Sequence, residues 1–252
     1  MNTFAGYERC LNFINSQLQP PRPAAGLAGP KRAVTLSRQS GCGAHAVAEK
    51  LAEYLQARMP LPDCAWTVFD RDLMERVLMD HHLPTRMAQY MPEDRISQID
   101  DIMHDLFCLR PDSWTLVEQT AETILRLAEL GGVIIVGRGA NVITAKLPQL
   151  VHVRLVAPLE QRVAAMQHYE QLAPNQARER IAREDGGRRR YLKSYFDRDI
   201  DDPLLYHLVI NTGLVSLETT AQMIGDLVLT GGQSPVPASP VARSGNRIPV
   251  LT

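Results

Sequence analysis

Several features that would direct a chain elsewhere are missing here. No run of about 18 apolar residues occurs along the 252 residues, so nothing in the sequence reads as a membrane span. The N-terminus, MNTFAGYERCLNFINSQLQPP, has no basic stretch followed by a continuous apolar one and does not read as a secretory leader. The four cysteines, Cys10, Cys42, Cys64 and Cys108, form no C-x-x-C pair and no Cys/His cluster at zinc-ligand spacing. They are expected to be reduced thiols of a cytoplasmic protein. The net charge is −1 and the sequence pI about 6.7, which removes bulk basicity as a reason to bind nucleic acid or a membrane. Any anion site must therefore come from local clustering.

What is present is an alternation. Short apolar or β-branched runs at 33–36, 66–69, 133–136, 151–156 and 208–210 are apolar on both faces, as strands buried between helices must be. Helical patterns at 46–57, 72–79, 113–130, 159–169 and 217–229 separate them. Such βα units predict an α/β fold with a five-stranded parallel sheet in a three-layer α/β/α arrangement. Ligands of these sheets sit beyond the carboxyl ends of the strands. Residues 1–31 are expected to hold a short amphipathic helix, with Leu11, Phe13, Ile14 and Leu18 apolar, and a Pro-rich linker. The domain itself is expected over 32–230, with a helical insertion at 81–130. The Gly/Pro/Ser-rich stretch 231–252 reads as a disordered tail.

The first strand runs into Ser37-Arg38-Gln39-Ser40-Gly41-Cys42-Gly43-Ala44-His45 and then a helix. A glycine-containing loop at this junction turns backbone N–H groups and the helix dipole toward an anion. Against G-x-x-x-x-G-K-[ST], Ala44 stands at the lysine and His45 at the hydroxyl residue, leaving Arg38 as the cation nearest the loop. The second strand ends in Asp70-Arg71-Asp72, where an aspartate can cap a helix or face a ligand. The third ends in Gly137-Arg138-Gly139, placing a guanidinium, well suited to phosphate, on the same rim. Arg162 follows the fourth strand in APLEQRV. Between the fourth and fifth strands RERIAREDGGRRR carries six arginines in 13 positions. A solvated face is the plain reading of such a block, and a basic lid on a Gly186-Gly187 hinge is the functional one.

The stretches TLSRQSGCGAHAVAEKLAEYL, VIIVGRGANVI, VHVRLVAPLEQRV and DPLLYHLVINT resemble the cytidylate kinase-like family, as does the D-x-x-R-x-x-Y pattern of Asp185, Arg188 and Tyr191. Together they cover about residues 33–228. The resemblance implies a P-loop nucleoside monophosphate kinase fold with the lid at 170–200 and an acceptor-binding role for the 81–130 insertion. It implies an ATP-dependent phosphotransferase acting on a nucleoside monophosphate or a similar small phosphorylated acceptor. ATP and Mg²⁺ are the cofactors it implies, the ion being held by phosphates and water rather than by a protein cluster. It places Ser40, Gly41, Cys42, Gly43, Ala44 and His45 at the nucleotide, and Asp70, Arg71, Arg138 and Asp185 at the acceptor. Arg38, Arg183, Arg188 and Arg189 would neutralise the moving phosphoryl group. Departures from the family pattern are Ala44 for glycine, His45 for arginine and Gly139 for the acid of G-R-D. Cytosine specificity is therefore not carried over, and a nucleotide-binding regulatory protein with little or no activity is the alternative. Nucleotide substrates are the expected partners, with no nucleic acid and no membrane, and homo-oligomerisation is left open.

Overall fold

The structure, a computed structural model, describes residues 3–17, 31–61, 64–70, 93–107 and 115–231. Five parallel strands, β1 (Ala33–Arg38), β2 (Thr67–Phe69), β3 (Val133–Val136), β4 (Leu150–Val156) and β5 (Leu208–Asn211), lie in the order β2-β3-β1-β4-β5. The sheet and its direction agree with the expectation from the sequence, and each strand lies within two residues of the apolar run that announced it. β1 is central, paired with β3 through Thr35–Ile135 and with β4 through Thr35–His152. The chain crosses from one side of β1 to the other between β3 and β4, so the crevice for a ligand lies over the carboxyl ends of β1 and β3.

Strand side chains alternate between two packed layers. Val34, Leu36, Ile134 and Val153 face α2 (Ala44–Arg58) and the last helix, Leu217–Thr230, where Leu51, Leu55 and Ile224 are fully buried. Ala33, Phe69, Ile135 and Leu150 face the opposite layer. That layer holds α1 (Thr3–Gln17), α3 (Glu93–Phe107) and α4 (Thr115–Leu130). Phe13 of α1 meets Phe69 edge to face at 5.9 Å, and the Cys10 thiol donates to the Val68 carbonyl. α1 thus spends its apolar face on the edge strand β2. In α4, Ile124, Leu125 and Ala128 are fully buried in the cluster that includes β3. The described part of the 81–130 segment is therefore integral to the core, a distinction that helical periodicity alone does not make. Leu18, Arg71, the helix expected at 72–79, the Pro-rich linker and the tail beyond Gly231 lie outside the described residues.

Further along come a short α5 (Ala140–Ile143), which no sequence pattern announced, and α6 (Leu159–Glu170). The 23-residue α7 (Pro174–Phe196) follows, and the last helix is α8.

β4 carries His152 into the sheet's interior. Its Nδ1 lies 2.9 Å from Thr35 Oγ1, and its ring sits 5.1 Å from that of His207. Burial first, and then His207, push His152 down from 6.5 to about 4. The unfolded chain takes up the proton first, so the stability due to a neutral His152 is whole above about pH 6.5. It is lost as pH falls toward 4, by at most about 3 kcal/mol. Urea unfolding followed between about pH 7 and pH 4.5 should show this decline, and His152→Gln should flatten it. An equal slope in the variant would place the loss elsewhere.

Candidate active site

At the carboxyl end of β1 the chain must leave the sheet and enter α2 within a few residues, and two glycines make this possible. Gly41 has φ +81° and Gly43 φ +79°, the left-handed region that a Cβ disfavours. A Cβ on Gly41 would stand 2.6 Å from the Arg162 carbonyl oxygen, so the loop lies directly against the start of α6. Gln39 extends the β1–β4 ladder by donating to the Leu155 carbonyl at 3.0 Å, and its side-chain oxygen accepts from Ala157 N–H at 3.1 Å. Thr212 Oγ1 donates to the Cys42 carbonyl at 2.9 Å. Burial raises the Cys42 thiol above its ordinary pKa, so this cysteine contributes backbone and bulk, not a thiolate.

Arg38, the last residue of β1, turns its guanidinium across Gly137 at the end of β3. Gly137 has φ +88°, and a Cβ there would overlap Arg38 NH1. Among the described residues Arg38 makes no hydrogen bond and no ion pair. Burial, and after it the charge of Arg188, lowers it from 12.5 to about 10. It stays protonated at neutral pH. A desolvated cation without a carboxylate is costly unless an anion arrives.

α7 supplies the opposite wall and is latched to the loop. Asp185 accepts from Ser40 N–H at 2.8 Å, from Arg162 NH1 at 2.7 Å and from Arg188 NH1 at 2.9 Å. Ser40 Oγ donates to Glu184 at 2.7 Å and accepts from Arg188 at 2.5 Å. Burial raises Glu184, but hydrogen bonds from Ser40 and Arg180 outweigh it and hold the carboxyl below its ordinary range. Between loop, strand ends and α7 lies a cavity of about 720 Å³. Among the described residues six arginines line it, Arg38, Arg138, Arg180, Arg183, Arg188 and Arg190, against two carboxylates, Asp70 and Glu184.

The expected site residues divide accordingly. Arg38, Ala44, His45, Asp70, Arg138, Arg183 and Arg188 line the cavity. His45 sits in the first turn of α2 with Nδ1 3.8 Å from Asp70. Ser40 is engaged with α7, and Gly41, Cys42 and Gly43 shape the loop. Arg189 does not line this cavity: at 3.6 residues per turn it falls on the side of α7 opposite Arg180, and it pairs with Asp201 at 2.9 Å. Asp185, expected at the acceptor, is found on the loop and Arg162. Gly186 and Gly187, expected as a hinge, lie inside α7, which runs unbroken through them. The reason lies in its ends, where Ala177, Ile181, Leu192 and Phe196 are buried and hold both halves in register. Arg162, left open by the sequence, is 8% exposed and ties Ala157, Ser40 and Asp185 together.

Others were missed. Arg180 and Arg190 share the face of Arg183, a signal that helical phase would have supplied. Arg154 is 4% exposed and donates to Ser37 Oγ at 2.9 Å and Asp201 at 2.5 Å. An arginine inside the apolar run VHVRLV was its signal. Asn141, in α5, had none. Among the described residues no group of three His, Cys, Asp or Glu could hold a metal ion, and no helix is long and apolar enough to cross a membrane.

Sheet order, strand-to-helix glycine loop and a cationic cavity beneath a long basic helix together define a nucleotide kinase-like α/β protein. The chain belongs to the cytidylate kinase-like family, whose family model matches residues 33–214. The crystal structure of an uncharacterized protein from Eubacterium ventriosum ATCC 27560 has a similar fold, at TM-score 0.54 and 19% identity. The similarity covers 79% of this chain and 99% of that one. No curated protein matches the sequence.

The continuity of α7 has a measurable consequence. A Cβ added at Gly187 would have no neighbour within 4 Å, so Gly187→Ala meets no obstacle. It should raise stability by about 0.5–1 kcal/mol in urea unfolding. A loss of stability would mean that the residue leaves the helical conformation in the native protein.

Proposed function

We propose that the protein is a cytoplasmic ATP-dependent phosphotransferase whose acceptor is a nucleoside monophosphate or a similarly small phosphorylated molecule. The observation that carries this reading is the unpaired guanidinium of Arg38 in a cavity lined by five further arginines. Charge of this sign and density, enclosed between a loop and a helix, suits two phosphate-bearing molecules brought together.

In this reading the Gly41–Gly43 loop and the N-terminus of α2 hold the donor phosphates. Arg138 and Asp70, with Arg71, orient the acceptor. An acceptor phosphate oxygen attacks the γ-phosphorus of ATP. The new P–O bond forms as the bond to the β–γ bridging oxygen breaks, and ADP leaves. Arg38, Arg183 and Arg188 neutralise the charge spread over the transferring group, so positioning and electrostatics provide the catalysis. The lid excludes water that would otherwise take the phosphoryl group. Arg189 acts at a distance, anchoring α7 through Asp201. Mg²⁺ supplies charge neutralisation between the phosphates when bound. With Ala44 and His45 in place of the lysine and hydroxyl, the phosphates and water would hold the ion.

Arg183 gives the cleanest test. It is exposed and, among the described residues, has no hydrogen-bond or ion-pair partner, so Arg183→Ala leaves the latch intact. ADP formation from Mg·ATP with a panel of nucleoside monophosphates should depend on the acceptor. Arg183→Ala should lower kcat by roughly 10²-fold with an unchanged melting temperature. If ATP raises the melting temperature but no acceptor is turned over, the protein binds nucleotides without catalysing transfer.

A further inference from the structure

A second cavity of about 590 Å³ lies beside β4, in the angle between α3, α5, the end of α7 and the residues leading into β5. Of the residues lining the first cavity it shares only Asn141. Its walls contain hydrogen-bond donors with no acceptor among the described residues. His207 Nδ1 accepts from the backbone N–H of His152 at 3.0 Å, so that nitrogen carries no proton and Nε2 carries it. His152 Nδ1 lies against the buried Thr35 hydroxyl, which has no other partner among the described residues. Both groups are satisfied only if Thr35 donates, which puts the proton of His152 on Nε2 as well. Neither Nε2 has a protein partner among the described residues. Asn141 is 6% exposed, and its Nδ2 is buried with no acceptor among the described residues. Arg198, at the rim, also has no side-chain partner there.

The carboxylates of the same wall have protein partners. Asp105 is paired with Lys146, and Asp202 accepts from Leu204 N–H at 2.9 Å. Of the donors, Asn141 Nδ2 is buried, where an unpaired donor costs on the order of 1–3 kcal/mol, while His207 and Arg198 stand exposed at the cavity's edge. A ligand that brings oxygen acceptors matches the set. Leu106 and Phe196 complete the lining with apolar surface. We propose that this cavity binds a small organic acid, its carboxylate facing His152, His207, Asn141 and Arg198 and its hydrocarbon body lying against Leu106 and Phe196. The site is separate from the nucleotide cavity, and the proposal stands whether or not the protein catalyses phosphoryl transfer.

The test follows the histidine ring resonances of the full chain by NMR during titration with benzoate and, separately, inorganic phosphate. Benzoate should shift two imidazoles saturably, assigned to His152 and His207 by single substitution. His207→Phe should weaken benzoate at least about tenfold, as loss of a hydrogen bond to a charged group does. Arg198→Ala, at an exposed position, should weaken it comparably if the first variant fails to fold. The proposal is overturned if benzoate moves only His45, which lines the first cavity, or moves nothing. It is equally overturned if phosphate alone binds as tightly, or if both variants bind benzoate like the wild type.

Discussion

A guanidinium with no carboxylate paired to it organises this molecule. Arg38 ends the central strand and is brought by that strand to the mouth of the sheet, where burial and Arg188 lower it to about 10. Its seat exists because Gly137 has no Cβ, and Gly137 can take φ +88° for the same reason. Asp70 and Glu184 act on this charge only from a distance, so the described residues give it no direct partner, and an anionic ligand is what the proposed function places there. The parallel sheet makes the arrangement possible, since the carboxyl ends of β1, β2 and β3 deliver Arg38, Asp70 and Arg138 to one rim.

The neighbouring charges are distributed differently. Arg162, Arg154 and Arg189 are fully engaged, the first holding Asp185 under the loop, the other two sharing Asp201. Arg154 reaches from Asp201 to Ser37, which stands next to Arg38. These pairs are structural: they set the distance between α7 and the strand ends. Arg38 and Arg183 are left to the cavity. Glu184 and Asp185 sit between the two sets, joining α7 to Ser40 while leaving its arginine face turned inward. Where the loop has Ala44 in place of a lysine, Arg38 from β1 and arginines from α7 face the same cavity. Membership of the cytidylate kinase-like family is consistent with such a solution.

Much of this was legible in the residues. Strands covered by helices on both faces must be apolar throughout, so VIIV and VHVRLV stood out, and the glycines of the loop and of Gly137-Arg138-Gly139 marked where the chain turns at the strand ends. What stayed hidden depended on phase and partners. The arginine run names its residues but not the helical face each occupies, so Arg189 was grouped with Arg183 and Arg188, and Arg180 and Arg190 were passed over. Two adjacent glycines suggested a hinge because propensity is local, whereas packing at both ends of α7 is not. Asp185 matched a motif, yet its carboxylate is held by Ser40 and Arg162, residues distant in sequence. Asn141 and the tautomers of His152 and His207 emerge only once the neighbours of each ring and amide are known.

The claim on which the account rests is that Arg38 awaits phosphate. Calorimetric titration of the full chain with a non-hydrolysable ATP analogue and Mg²⁺, comparing wild type with Arg38→Met and Gly137→Ala, measures it directly. The account predicts that each substitution weakens binding at least about tenfold, the first by removing a charge-assisted contact and the second by displacing the guanidinium from its seat. Equal affinity in all three proteins would contradict it.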